Sequence, residues 1–204
     1  MIDSETIRRK AADEIALDEN TDVFPDREAF FDAMASSKTK FITVGRFSPE
    51  KGHKRLISAF RRYHAEHGNC CLIIMGGYSV GNGYEETADW IRTNGMEDSV
   101  ILLHRVSNPY PVIRSCDGFI LSSFYEGFGL VIAEADILGI PVVATDIAGP
   151  RTFMREHGGT MVESSEEGIY EGLCLLGAKQ VPTMSVDYKT YNRDAIREFE
   201  ALIR

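Results

Sequence analysis

Cys71-Leu72-Ile73-Ile74-Met75-Gly76-Gly77 carries five apolar residues in succession and then two glycines. A strand with one wet face alternates apolar and polar side chains. A strand apolar at every position has both faces covered, the signature of a parallel sheet between two layers of helix. The same kind of run recurs on both sides: Phe41-Ile42-Thr43-Val44 before Gly45, then Val100-Ile101-Leu102-Leu103, Gly118-Phe119-Ile120-Leu121, Pro141-Val142-Val143-Ala144, and a shorter Thr160-Met161-Val162. Between them lie amphipathic stretches. Leu56, Ile57, Phe60 and Tyr63 recur at helical spacing, residues 84–94 and 130–138 read as helices, and Pro111 suits the first turn of a short one. Strands alternating with helices predict an α/β fold, a doubly wound parallel sheet whose ligands bind at the carboxyl ends of its strands. Residues near 166–176 and 193–204 also read as helical.

The 204 residues suit one domain, here residues 38–204, with 44% hydrophobic and 26% charged residues. Residues 1–37 differ: charged, helical around 4–17 and loop-like through Asn20-Thr21-Asp22-Val23-Phe24-Pro25, they read as a lead-in. A net charge of −9 argues against a nucleic-acid partner or an anionic membrane surface. No stretch approaches a transmembrane segment, and the N-terminus lacks the layout of a signal peptide. Cys70, Cys71, Cys116 and Cys174 form no CxxC pair and read as reduced thiols of a cytoplasmic protein, with no zinc site.

Polar and glycine-rich residues follow the strands, where ligands are expected: Gly45-Arg46, Gly76-Gly77, His104-Arg105, Ser122-Ser123 and Thr145-Asp146. The run Glu126-Gly127-Phe128-Gly129-Leu130-Val131-Ile132-Ala133-Glu134 puts a glycine-rich turn at the start of an apolar helix, between two carboxylates. Unpaired N–H groups at such a helix start favour an anion, and carboxylates accept the hydroxyls of a sugar. A glycine-capped helix with two solvated glutamates fits the same nine residues. Arg46 and Lys51 in a strand–loop–helix unit form either a diphosphate clamp or a solvated loop balanced by Glu50. His104 reads as a base, a ligand contact or a satisfied strand-end residue. Ser122, Ser123, Asp117, Asp146 and Tyr110 divide between ligand contacts and local structure. GxxxxGK[ST], GxGxxG, GxSxG, HExxH and a metal-holding DxD pair are all absent.

Taken in order, these segments resemble the C-terminal, nucleotide-sugar-binding half of a retaining GT-B glycosyltransferase of the family 4 type. Val44-Gly45-Arg46-Phe47-Ser48-Pro49-Glu50-Lys51-Gly52 is similar to that family's VGRLxxEKG signature, Glu126 to Glu134 to its E-x7-E motif, and Gly139 to Thr145 to its G-x-PVVAT strand. Asn108 to Pro111 with Cys116-Asp117 is similar to the stretch that precedes E-x7-E. The resemblance implies a Rossmann-like domain in which Arg46 and Lys51 neutralise the donor diphosphate without a metal or other cofactor. It implies that Glu126 holds donor-sugar hydroxyls and Glu134 the ribose, and that Arg46, Lys51 and Glu126 are the catalytic residues of this half. Gly45, Gly127, Phe128 and the N–H groups of Gly129, Leu130 and Val131 then complete the phosphate site, and Arg105 and Val106 border the nucleobase. Gly76-Gly77-Tyr78 and Ala148-Gly149-Pro150-Arg151-Thr152 depart from the family's pattern, which leaves the sugar open.

A donor that is a nucleoside-diphosphate sugar, UDP-linked in most of the resembling family, is implied. So is a glycan, lipid-linked or cell-envelope polymer acceptor held by a missing N-terminal domain. Ile2-Asp3 and the following helix resemble the linker from that domain, so the isolated half is expected to bind donor without efficient turnover. The full-length protein is expected at the membrane only peripherally. A related sugar-nucleotide epimerase or glycan phosphorylase, or a non-catalytic nucleotide-sugar-binding module, remain the alternatives.

Overall fold

The computed structural model of the chain describes residues 2–77, 81–127, 129–184, 186–193 and 197. Seven strands, β1 (Asp22–Phe24), β2 (Thr39–Val44), β3 (Cys70–Gly76), β4 (Val100–His104), β5 (Gly118–Leu121), β6 (Val142–Thr145) and β7 (Thr160–Val162), form one sheet in the order β1-β4-β3-β2-β5-β6-β7. All neighbours are parallel except β1, which runs antiparallel to β4. Leaving β1 aside, the order is that of a doubly wound dinucleotide-binding domain.

Burial explains the continuous apolar runs. Ile42, Ile73, Leu103 and Phe119 pack on one face with α1 (Ser4–Lys10), α2 (Arg27–Ala35), α5 (Tyr110–Arg114), α6 (Leu130–Ile137) and α7 (Ala148–Glu156). Phe41, Leu72, Ile74, Leu102 and Ile120 face the other way, onto α3 (His53–His67), α4 (Gly83–Thr93) and α8 (Glu166–Gly177). Burying both faces at about 25 cal/mol per Å² of apolar surface is what holds such strands together. The four cysteines are free, and burial raises the Cys70 thiol to about 11, so it stays protonated and inert.

The segment read as a lead-in is part of this packed body. Residues 22–24, expected as loop, form β1, with Asp22 opposite His104 and Phe24 opposite Leu102. Phe30 of α2 is fully buried, and Ile7 of α1 joins the same core. The helix expected over 4–17 ends at Lys10, because the backbone beyond it bonds to other parts of the chain: Lys10 O accepts from Asn108 and Ala11 O from Arg114. The residues after β6, left without a helix in the sequence reading, form α7, with Pro150 tolerated in its first turn. The helix expected over 193–204 lies, apart from residues 193 and 197, outside the described residues.

Candidate functional site

After β2 the chain turns toward β3 on one side of the sheet, and after β5 toward β6 on the other. Their carboxyl ends therefore part at a crevice, and everything that could bind a ligand there hangs from two loops. The first, residues 45–52, is anchored by Phe47, whose buried ring meets His53 at 5.4 Å and Tyr84 at 5.0 Å edge-on. It ends in the single turn Pro49–Lys51 before α3. The second, residues 122–129, is tied to the first by two hydrogen bonds. Ser122 Oγ donates to Lys51 O at 2.9 Å and Phe124 N to Glu50 O at 2.8 Å. Across that seam Lys51 Nζ meets Glu126 Oε2 at 2.5 Å, with side chains only 14% and 17% exposed. Ser123 Oγ lies 3.5 Å from the same carboxylate oxygen.

Gly129 closes the second loop at φ +66°, a left-handed conformation that favours glycine, and α6 starts at the next residue with no side-chain cap. Ile132 N donates to Gly129 O at 2.8 Å, and the Leu130 and Val131 N–H groups before it belong to a helix start of the kind that favours an anion. Val44, Gly45, Arg46, Lys51, Glu126, Gly129, Leu130 and Val131 line one cavity of 310 Å³. Seven of the residues singled out from sequence are thus brought together. The loop can settle there because the second residue of α7 is Gly149: a Cβ at that position would lie 2.0 Å from Glu126 O and 2.2 Å from Gly127 O. Phe128 is outside the described residues. Gly127 is exposed and does not line the cavity.

Arg46 is exposed and pairs with Glu50 at 3.3 Å. It therefore stands at the mouth of the cavity, and both cations of the suspected clamp are partnered by carboxylates. Glu134 lies one turn further along α6 and opens into a second cavity of 200 Å³, shared with Ile2, Asp3, Thr6, Ile7, Tyr110 and Leu130. Leu130 borders both cavities. Burial pushes the Glu134 carboxyl above its usual range, and the Tyr110 hydroxyl, donating at 3.3 Å, opposes part of that shift. Tyr110, read as a stacking or packing residue, is a partner of this carboxylate.

Arg105 and Val106 follow β4, apart from both cavities. Arg105 sits at φ +59°, its N–H donating to Gly76 O at 3.2 Å. His104 is fully buried with Nδ1 3.1 Å from Asp22 Oδ2, so it faces the β1 edge. Asp117 Oδ2 accepts from Lys40 N at 2.8 Å, a structural bond. Asp146 pairs with Arg151 at 2.6 Å. Two further side chains support the site: Arg55, passed over in sequence, and Thr145, named there among the polar strand ends. Arg55 donates to Ser122 O and Ser164 O, each at 2.8 Å, and stacks 3.9 Å from the Phe124 ring centroid. Thr145 Oγ1 donates to Ser123 O at 2.8 Å. Arg55 comes three residues after Gly52, on the first turn of a helix, a position that points at the loops beside it. Thr145 was visible in sequence as a polar residue at a strand end, with its partner unmarked. Among the described residues no three His, Cys, Asp or Glu side chains gather as a metal-binding cluster, and no helix is long and apolar enough to cross a membrane.

A doubly wound sheet whose switch-point crevice holds a glycine-opened helix start, a lysine and a carboxylate defines a Rossmann-like domain of GT-B architecture. The comparisons agree. The family model described as "Glycosyl transferases group 1" matches residues 26–176, and the chain belongs to that family. It is 32% identical over 176 residues to the N-acetylgalactosamine-N,N'-diacetylbacillosaminyl-diphospho-undecaprenol 4-alpha-N-acetylgalactosaminyltransferase of Campylobacter jejuni, covering 84% of this chain and 41% of that enzyme. Among solved structures, Anabaena HepE in complex with UDP and glucose is 25% identical with a TM-score of 0.61, covering 72% of this chain and 41% of that one. A variant of S. aureus TarM in complex with fondaparinux, alpha-GlcNAc-glycerol and UDP is 26% identical with a TM-score of 0.57, covering 66% and 28%. The chain thus spans well under half the length of these relatives.

Proposed function

We propose that this domain binds the nucleoside-diphosphate sugar of a retaining, metal-independent glycosyl transfer, a UDP sugar in the first instance. The observation that carries the reading is the convergence of Gly45, Arg46, Lys51, Glu126, Gly129, Leu130 and Val131 on one cavity at the switch point of the sheet. Arg46, Lys51 and the start of α6 face the diphosphate, Glu126 the sugar hydroxyls, Glu134 the ribose, and Arg105 and Val106 the base.

The chemistry follows from charge. As the bond between the anomeric carbon and the diphosphate breaks, negative charge grows on the leaving group. Two cations and an oriented helix start, fixed before the reaction, stabilise that charge most where it is largest, in the transition state. In the unliganded domain Lys51 is neutralised by Glu126 at 2.5 Å. An arriving phosphate draws the ammonium away and leaves the carboxylate with free acceptor positions beside the sugar. The acceptor, a glycan, lipid-linked or polymer end, is held by a further N-terminal domain, to which residues 1–37 connect, in a cytoplasmic protein that meets the membrane only peripherally. UDP in the HepE and TarM complexes supports the choice of nucleotide.

Calorimetric titration of UDP, GDP, ADP and CDP, repeated in EDTA and with Lys51→Ala and Glu134→Ala, tests the proposal. Metal-independent binding of UDP, weakened by both substitutions, is expected. Binding of none of the four overturns the donor-site reading, a requirement for added metal overturns the metal-independent part, and efficient sugar transfer by these 204 residues alone overturns the need for a second domain.

A further inference from the structure

Residues 10–21 cross over the loop between β4 and α5 and are bonded to it repeatedly. Asn108 Nδ2 donates to Lys10 O at 2.9 Å and to Asp13 Oδ2 at 3.0 Å. Ser107 Oγ donates to Asp18, and Thr21 Oγ1 donates to Arg105 O at 3.1 Å. Arg27 gathers the strap from outside, its guanidinium reaching Leu17 O at 3.4 Å, Asp18 O, Glu19 O at 3.2 Å and Thr21 O at 3.1 Å. Immediately beyond, β1 pairs with the end of β4, and Asp22 meets the buried His104.

The loop so held includes Arg105, at φ +59°, a conformation uncommon outside glycine and asparagine. Such a backbone persists only where its surroundings over-determine it. Here Gly76 fixes its N–H and Thr21 its carbonyl, and Val106 beside it packs on the core. Among the described residues no hydrogen bond joins residues 10–21 to Lys51, Glu126 or Gly129.

We infer that this N-terminal strap is a positioning element for the nucleoside end of the donor: by holding Arg105 and Val106 it sets which base is accepted, without touching the diphosphate. The inference rests on the donor-site reading above. It assigns Asp18 and Thr21 as positioning residues for base selectivity, through Ser107 and Arg105.

The test titrates UDP, GDP, ADP, CDP and inorganic pyrophosphate into the intact chain, the Asp18→Ala/Thr21→Val double variant, Thr21→Ser and Lys51→Ala. Loss of two hydrogen bonds in the strap is expected to weaken the preferred nucleotide about tenfold. The other nucleotides and pyrophosphate change by less than about twofold, so the selectivity ratio collapses, while Thr21→Ser keeps it. Ser107→Ala, which removes one strap bond and leaves the Arg27 bonds intact, gives the same readout on a milder background should the double variant melt early. An unchanged selectivity ratio in folded variants, with Lys51→Ala still abolishing binding, overturns the inference and leaves the donor site standing. A uniform loss that includes pyrophosphate overturns it as well. Absence of nucleotide binding by the intact chain removes the donor-site reading, and this inference with it.

Discussion

Substituting Glu126→Gln sets the two halves of one ion pair against each other. In the unliganded domain the Glu126 carboxylate holds the Lys51 ammonium at 2.5 Å, with the two side chains 14% and 17% exposed. A donor diphosphate needs the same ammonium, so the pair and the ligand compete. Fully exposed pairs contribute about 0.2–1 kcal/mol. Removing one partner of a fully buried pair costs about 3–5 kcal/mol. A largely but not fully buried pair such as this falls between, at about 1–3 kcal/mol. The amide keeps the shape of the carboxylate and one neutral acceptor, and removes only the charge. Glu126→Gln is therefore expected to lower the melting temperature by several degrees and yet bind a plain nucleoside diphosphate about threefold to tenfold more tightly, about 1 kcal/mol. Lys51→Ala moves the affinity in the opposite direction. Calorimetry with UDP on both variants, alongside thermal melts, reads both effects. General damage to the crevice would weaken binding in each; only competition yields opposite signs. Parallel losses of UDP affinity in the two variants refute the reasoning.

Three further outcomes follow from the site and its supports. Because burial raises the Glu134 carboxyl, its ionised form is the disfavoured one, and the stability tied to its proton is lost as pH rises through the raised value. Glu134→Gln should accordingly melt no lower than the parent at neutral pH while losing about tenfold to a hundredfold in nucleotide affinity, read by melts and calorimetry. His53, buried at the start of α3 and further disfavoured as a cation by Lys51, is pushed down to about 4. Between the ordinary histidine range and that value the unfolded chain binds the extra proton, so about 3 kcal/mol of stability present at neutral pH drains away on acidification. A His53→Leu variant should show a flatter pH profile of melting temperature over that window. Gly149→Ala forces a Cβ to within 2.2 Å of two backbone carbonyls of the 122–129 loop. Displacement of that loop should abolish UDP binding while the far-UV circular dichroism is retained; unchanged affinity would show that the loop has room to yield.

The parallel sheet was legible because both faces of β2 to β6 are covered, which writes burial as unbroken apolar runs. Of the two edge strands, β7 was read and β1 was not. Asp22–Phe24 is three residues long, only Phe24 is buried, and its partner lies far along the chain. A period of two has nothing to repeat over so short a span. No helix was read over α7, whose first turn holds Gly149 and Pro150, both poor helix formers in a helix interior. At the site the contrast is similar. Gly45, Lys51, Glu126 and the residues opening α6 sit in local motifs that point to strand ends, and they meet as that pattern suggests. What no local pattern carries is who faces whom: Lys51 across to Glu126, Ser122 under the Lys51 carbonyl, Tyr110 beside Glu134. Those pairings arise from sheet order, which brings β2 and β5 side by side although they are separated by two other strands in sequence.

The antiparallel pairing of β1 with β4 also imposes a timetable on synthesis. Asp22 and His104 stand 82 residues apart in the chain. At about 5–20 residues per second a ribosome takes roughly 4–16 s to cover that gap. Through that interval Phe24 and its neighbours have no ladder to join, and their apolar surface stays open to whatever surrounds the nascent chain. The parallel pair β2–β3 can close before β4 is made, so β1, synthesised ahead of both strands, takes its place in the sheet only after they can pair.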